Sequence, residues 1–342
     1  MSTLFDDLPV RGLDPARLPT AVPPRGEDDE AARAERRAER EADRQARAEA
    51  LLEGMNPPQR EAVLHHGSPL LIVAGAGSGK TRVLTHRVAH QLATGRTRAS
   101  QVLAITFTNK AAAEMRERVT GLVGPAARAM WVSTFHSACV RILRREATTL
   151  GLRSSFSIYD AADSQRLLTL VTRELDLDPK KFPAKALSHR ISALKDELVG
   201  PAAFAASLDG SPFDETLSAV YARYQQRLRQ ANALDFDDLI MTTVQLLQEH
   251  PAVLEHYRRQ FPSILVDEYQ DTNHAQYVLV RELTGSAQDE VPRGELTVVG
   301  DADQSIYAFR GASIRNILEF EADYPDARTI LLEQNYRSTQ TI

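Results

Sequence analysis

The segment Ala74-Gly75-Ala76-Gly77-Ser78-Gly79-Lys80-Thr81 holds the densest chemistry in this chain of 342 residues. A glycine-rich loop that opens a helix presents backbone N–H groups to an anion, and the helix N-terminus adds positive potential. Lys80 is then placed to reach the β- and γ-phosphates of a nucleoside triphosphate, and Thr81 to hold Mg²⁺ through its hydroxyl. The pattern G-x-x-x-x-G-K-[ST] is met at Gly79, Lys80 and Thr81, whereas Ala74 occupies its first glycine position. Gly75 and Gly77 still allow a tight loop.

A phosphate loop binds but does not by itself hydrolyse. Hydrolysis needs a carboxylate beside the metal and a group that orients water. Asp267-Glu268 follows the apolar run Ile264-Leu265-Val266, at the carboxyl edge where open α/β sheets bind ligands. Asp267 is the candidate metal carboxylate and Glu268 the candidate general base. A third cluster, from Gly300 to Gly311, contains Gln304, Tyr307, Phe309 and Arg310. Gln304 suits a γ-phosphate sensor at a strand end. Tyr307 and Phe309 fit either core packing or stacking against a flat ligand.

These groups need elements to place them. Leu70–Ala74, Val102–Ile105 and Met130–Ser133 read as buried strands, followed by helices over Lys80–Ala93, Lys110–Val119 and His136–Leu150. Ile264–Asp267 and Leu296–Gly300 resume the strand pattern, and Thr329–Leu332 extends it. Alternating strands and helices predict an α/β fold, a parallel sheet covered on both faces. Between Leu152 and Asn232 strand signals fade. Ser164–Leu175, Ala184–Leu198 and Pro212–Gln230 read as amphipathic helices broken by Pro179, Pro183, Gly200 and Pro201. Residues 55–151 and 233–342 are thus expected to form the α/β domain, with 152–232 a helical insertion and 1–54 an extension. In that extension, residues 1–25 read as disordered, and Glu27–Glu53, rich in Ala, Arg and Glu, as a solvated helix.

Composition narrows the class further. The net charge of −5 gives no global basic footprint, so any nucleic-acid surface must be a local groove. The single cysteine, Cys139, excludes a disulfide within the chain and reads as a small buried hydrophobe. No apolar run approaches the ~18 residues of a membrane span. The first residues lack the basic and apolar regions of a secretion signal. Cytoplasm is the expected compartment, with no membrane partner.

Several segments, in order, resemble the motifs of superfamily 1 DNA helicases of the UvrD/PcrA/Rep type. Asn56-Pro57-Pro58-Gln59-Arg60 resembles the Q motif and AGAGSGKT motif I, in which that family itself tolerates Ala first. ITFTNKAAAEMRER (Ile105–Arg118) resembles motif Ia, and STFHS (Ser133–Ser137) the motif after it. ALDFDDLI (Ala233–Ile240) resembles the return from the inserted domain, VDEYQDTN (Val266–Asn273) motif II, VVGDADQSIYAFRGA motif III and LEQNYRS (Leu332–Ser338) motif IV.

The resemblance implies a RecA-like P-loop domain, called 1A in the family, carrying an inserted helical domain, 1B. It implies ATP and Mg²⁺ as ligands. Nucleotide contacts would come from Gln59 at the adenine edge, Arg60, residues 74–81, Arg82, Tyr336 stacked on the base and Arg337 at the γ-phosphate. A single-strand track would be lined by Phe107, Thr108, Asn109, Thr134, His136, Tyr307, Phe309 and Arg310. The family often has Trp where Phe309 stands. Base stacking contributes about 1–3 kcal/mol, so Phe implies a modest loss.

The activity implied is ATP-dependent 3′–5′ translocation on single-stranded DNA and unwinding at single-strand/duplex junctions, in repair or replication restart, with repair proteins as partners. The same motifs also occur in helicase-nucleases of the RecB/AddA kind, and a nucleotide-dependent module that clamps or displaces proteins on DNA is a third reading. Motifs V and VI and a second arginine finger are expected beyond Ile342. Such a finger contributes about 10³–10⁵ in rate. Residues 1–342 read as an N-terminal fragment that binds nucleotide and hydrolyses it poorly.

Overall fold

A computed structural model describes residues 27–301, 320 and 322–336. The disorder read for residues 1–25, and the roles assigned to Gln304, Tyr307, Phe309, Arg310 and Arg337, lie outside the described residues. The chain forms two units, residues 1–46 and 47–342. Helix α1, Glu27–Ala50, accounts for the described part of the first.

In the second unit the apolar runs become strands β1 (Leu70–Ala74), β2 (Val102–Thr106) and β3 (Trp131–Thr134). Each leads into a helix: α3 (Lys80–Ala93), α4 (Asn109–Val123) and α5 (Phe135–Arg145). Thr108 and Thr134 cap α4 and α5, their hydroxyls accepting from the N–H of Ala111 and Ser137. Helix α2 (Pro57–Leu64), capped by Asn56, precedes β1. After the helical stretch described below come β6 (Ser263–Val266), α12 (His274–Thr284), β7 (Glu295–Gly300) and β8 (Arg328–Leu332).

Among the described residues these strands make a six-stranded parallel sheet in the order β3-β2-β6-β7-β1-β8. Successive strand side chains face opposite ways. Leu71 therefore joins Val266, Val298 and Trp131 on one face, while Leu70 and Ile72 join Val83, Val88 and Ile330 on the other. Two cores rather than one explain why the runs are continuously apolar. Cys139 is fully buried in the first, as its reading required.

The stretch between α5 and β6 holds α6 (Ala161–Glu174), α7 (Ala184–Asp196), α8 (Pro201–Ala206) and α9 (Pro212–Gln230). They pack around their own cluster, with Leu168, Leu187, Leu217 and Tyr221 at its centre. Strand signals fade over residues 152–232, yet one short strand lies there and pairs with another just past it. Ser157–Tyr159 (β4) and Ala233–Asp235 (β5) pair in parallel, Ile158 opposite Leu234. Three residues are too few to show a period, so only the pairing reveals them. It holds the start and end of the helical stretch side by side. Helices α10 (Phe236–Glu249) and α11 (Pro251–Gln260) then return the chain to the sheet.

A buried charge cluster joins the helical stretch to α10. Lys195, fully buried on α7, places Nζ 2.6 Å from Asp235 Oδ2 and 2.8 Å from Asp238 Oδ1. Tyr224 donates its hydroxyl to Asp235 Oδ2 at 2.9 Å, and Gln225 donates to Asp238 Oδ1 at 2.9 Å. Burial opposes the Lys195 charge, but Asp238 and Asp235 outweigh it and hold the proton above the ordinary lysine range. The same two carboxylates form the capping box of α10. The next residue of α7, Asp196, accepts from Asn273 Nδ2 at 2.6 Å, which ties α7 to the cap of α12. Burial, then Asp237 and Glu197, pushes the Asp196 carboxyl up to about 7. No helix among the described residues is long and apolar enough to cross a membrane.

Two outcomes follow from these charges. Lys195→Met leaves two buried carboxylates without a cation and is expected to cost about 3–5 kcal/mol in urea unfolding. A loss under ~1 kcal/mol would show the cluster to be dispensable. Asp196 binds its proton more tightly folded than unfolded, so it favours the fold at low pH. That contribution is lost as pH rises from about 4, the unfolded value, through about 7. Asp196→Asn keeps an acceptor for Asn273 and is expected to flatten the fall of Tm over this window. It will not remove the fall, because burial also raises Asp237, Asp267 and Asp271 to about 6. An unchanged Tm profile would exclude Asp196 from the pH dependence.

Candidate nucleoside triphosphate site and strand track

The phosphate loop leaves β1 at Ala74, which pairs with Leu332 and is 1% exposed. The first position of the motif is thus a strand residue packed in the core, where a methyl group fills space and no left-handed backbone is required. Further along, Gly77 has φ +79° and Gly79 φ +90°. A Cβ on Gly79 would also come within 3.0 Å of Gln59 Nε2, so both geometry and space call for glycine there. Ser78 closes the loop on itself, its Oγ donating to Gly75 O at 2.8 Å.

Around this loop lies a cleft of about 370 Å³ lined by Ala76, Gly77, Gly79, Lys80, Thr81, Arg82, Arg118, Glu268 and Tyr336. Lys80, the first residue of α3, sits 3.4 Å from Glu268 Oε2 and 3.7 Å from Asp301 Oδ2. Glu268 reaches it from the end of β6 because its backbone takes a left-handed conformation, φ +52°. A non-glycine residue in that region carries strain, which the surrounding packing must sustain. Asp267 is 7% exposed. Burial first, then Glu268, raises its carboxyl to about 6. Tyr336 stands at the cleft mouth, 55% exposed, with its backbone N–H on Gly77 O at 2.9 Å. Its hydroxyl accepts from Asn56 Nδ2 at 2.8 Å.

Gln59 is 2% exposed and donates to Ser78 O at 3.0 Å, while its carbonyl accepts from Asn56 N–H. It is therefore held against the loop. Arg87 fixes α2 from behind. Fully buried, it donates to Ala62 O at 2.9 Å, His65 O at 2.5 Å and Thr297 Oγ1 at 2.8 Å. Burial lowers its guanidinium to about 10. Arg60 does not line the cleft and pairs with Glu49 at 2.6 Å. Arg118, on α4, does line it and was missed by the motif reading. The signal was its place at the end of ITFTNKAAAEMRER, but only packing shows which of its arginines faces the loop.

A second cavity, about 590 Å³, opens on the other side of the turn after Glu268. Phe107, Thr134 and His136 line it, whereas Thr108 and Asn109 stand exposed at the start of α4. Burial lowers the His136 pKa, which keeps the ring neutral near neutral pH. Edge-on to His136, at 5.5 Å, lies Phe236, 48% exposed. Phe236 was not singled out from the sequence, since one aromatic after a capping Asp has no distinctive spacing. Asp196, Asp237 and Asp271 also face the cavity. Such a lining disfavours phosphates and suits the rings and polar edges of bases.

Strand order explains the division. The loop after β1 and the carboxylates after β6 and β7 meet because these strands adjoin, while Phe107 and His136 follow β2 and β3 on the other flank of β6. No group of three or more His, Cys, Asp or Glu side chains arranged to hold a metal occurs among the described residues. Mg²⁺ needs no such cage beside a nucleotide, because phosphates and water complete its shell around one or two protein oxygens. Thr81 and the buried, proton-attracting Asp267 fit that donor set.

Comparison with known proteins leads to the same place. The chain is 64% identical over 296 residues to the ATP-dependent DNA helicase UvrD1 of Mycobacterium tuberculosis, covering 85% of this chain and 38% of that protein. It is 54% identical over 292 residues to the ATP-dependent DNA helicase PcrA of Bacillus subtilis, covering 85% of this chain and 39% of the relative. The chain thus spans well under half the length of the curated relatives it matches. Residues 55–325 match the UvrD/REP helicase N-terminal domain. That range holds the phosphate loop, Glu268 and the helical stretch between β4 and β5, and by it the chain belongs to the UvrD/REP helicase N-terminal domain family.

Proposed function

We propose that this chain is the ATP-binding portion of an ATP-dependent 3′–5′ DNA translocase and helicase that works on single-stranded DNA in repair or replication restart. The observation that carries the reading is the convergence of Lys80, Glu268 and Asp301 on one cleft, with Phe107, His136 and Phe236 gathered one strand away. Residues 152–232 correspond in this reading to the inserted domain 1B, and the sheet to domain 1A.

The loop N–H groups and Lys80 take the β- and γ-phosphates. Thr81 and Asp267 hold Mg²⁺, which when bound neutralises phosphate charge. Glu268 accepts the proton of the attacking water. Arg82 and Arg118 add positive charge to the walls of the cleft. Tyr336 stacks on the base, and Gln59, carried on α2, reads its edge. Gln304 and Arg337 take the γ-phosphate roles that the family assigns. DNA bases enter the acidic second cavity and stack on Phe107 and His136, with exposed Phe236 beside His136 extending the stacking surface and the backbone kept outside. Nucleotide favours one arrangement of cleft and track over another, and that difference in binding drives movement along the strand.

Hydrolysis is tested by two substitutions in the full-length protein. Lys80→Ala is expected to weaken ATP binding at least about tenfold, about 1.4 kcal/mol. Glu268→Gln should keep ATP affinity within about twofold and lower kcat by about 10²–10⁴. Wild-type turnover in the second variant would reject Glu268 as the base. Phe236→Ala should weaken single-stranded DNA binding by about 1–3 kcal/mol with ATP affinity unchanged, read by fluorescence anisotropy. Equal DNA affinity in both proteins would leave Phe236 a packing residue.

A further inference from the structure

Gln270 lies in a short 3-10 turn, Tyr269–Asp271, directly after Glu268. It is 1% exposed, and both ends of its amide are engaged. Nε2 donates to Glu268 Oε2 at 2.9 Å, and Oε1 accepts the backbone N–H of Asp301 at 3.0 Å. The turn itself is held tightly. Asp271 N–H donates to Glu268 O at 2.9 Å, Thr272 Oγ1 donates to Tyr269 O at 2.7 Å, and Tyr269 packs edge-on against Phe320.

We propose that Gln270 is a positioning residue for the hydrolytic step: it orients the Glu268 carboxylate and ties it to the backbone of Asp301 at the end of β7. The inference rests on the reading of Glu268 as the base. Lys80 and Gln270 both approach the same oxygen, Oε2. Holding that oxygen leaves Oε1 as the one to face water. The turn requires this side chain type. The bridge needs one donor and one acceptor on a single planar group. A carboxylate supplies only acceptors, an ammonium only donors, and an asparagine is one methylene too short to span both partners. Asp301 directly follows β7 and also faces Lys80, so a shift of its backbone N–H is passed to Glu268 through one amide. Misplacement of a reacting group by ~1 Å costs about 10² in rate, which sets the scale of the effect.

The test uses the full-length protein with single-stranded DNA present, and two variants. Gln270→Glu retains the acceptor for Asp301 and removes the donor to Glu268; Gln270→Met keeps the bulk and removes both. Each is expected to hold KM for ATP within about twofold and to lower kcat by about 10–100-fold. Each is then combined with Glu268→Gln and followed by single-turnover hydrolysis of radiolabelled ATP. A residue that acts through Glu268 causes no further loss in that background, whereas an independent structural role subtracts the same factor again. A kcat within twofold of wild type, an equal further loss in the Glu268→Gln background, or loss of ATP binding in both variants overturns the proposal. If Glu268→Gln alone keeps turnover, it is the base assignment that fails. If Glu268→Gln loses turnover and the Gln270 variants do not, only the role of Gln270 fails.

Discussion

A half-buried ammonium between two carboxylates is the constraint around which this site is built. Lys80 meets Glu268 and Asp301; Lys80 follows the loop after β1, and the two carboxylates follow β6 and β7. No local sequence can bring them together. The parallel sheet does so, because adjacent parallel strands deliver all their carboxyl ends to one edge. The apolar cores on the two faces then have a functional meaning: they hold the strands in the register that sets these distances. The left-handed backbone at Glu268 is the local cost of turning its side chain toward the cation.

The same carboxylate segment faces two ways. Glu268 lines the phosphate cleft and Asp271 the aromatic cavity, with Gln270 buried between them. Asn273 then meets Asp196 on α7, whose neighbour Lys195 is locked to Asp235 and Asp238. Polar contacts therefore recur from the phosphate loop through the turn to the helical stretch, joined by the chain itself between Asp271 and Asn273 and between Asp196 and Lys195. Each contact is buried or half-buried, so it is poorly replaced by water and costly to break. Contiguity supplies the physical means for one region to sense another. The two-state element that would use it is the pair of arrangements proposed for nucleotide binding.

Much of this was legible in the residues. Continuous apolar runs named the sheet strands because burial on both faces leaves no polar alternation. Asp267-Glu268 was readable because it directly follows such a run. The short strands β4 and β5 were not, since three residues carry no period, and helices α10 and α11 were not read, only the start of α10 falling in a motif. Arg60 and Arg118 show the limit at the site. Both are arginines inside recognised motifs, yet one points to Glu49 and the other to the cleft. Helix rotation and packing decide that, and neither is written in spacing along the chain.

By itself the sequence determined the phosphate loop, the carboxylate pair and the parallel α/β class, because each depends on backbone chemistry or burial pattern within a few residues. Tertiary structure alone decided which strands adjoin, that Ala74 is a core residue, that Gln270 bridges Glu268 to Asp301, and that Phe236 meets His136. These are contacts between residues far apart in the chain or set by the path of a turn. Their energies come from the desolvated surroundings that folding creates, which no local pattern encodes.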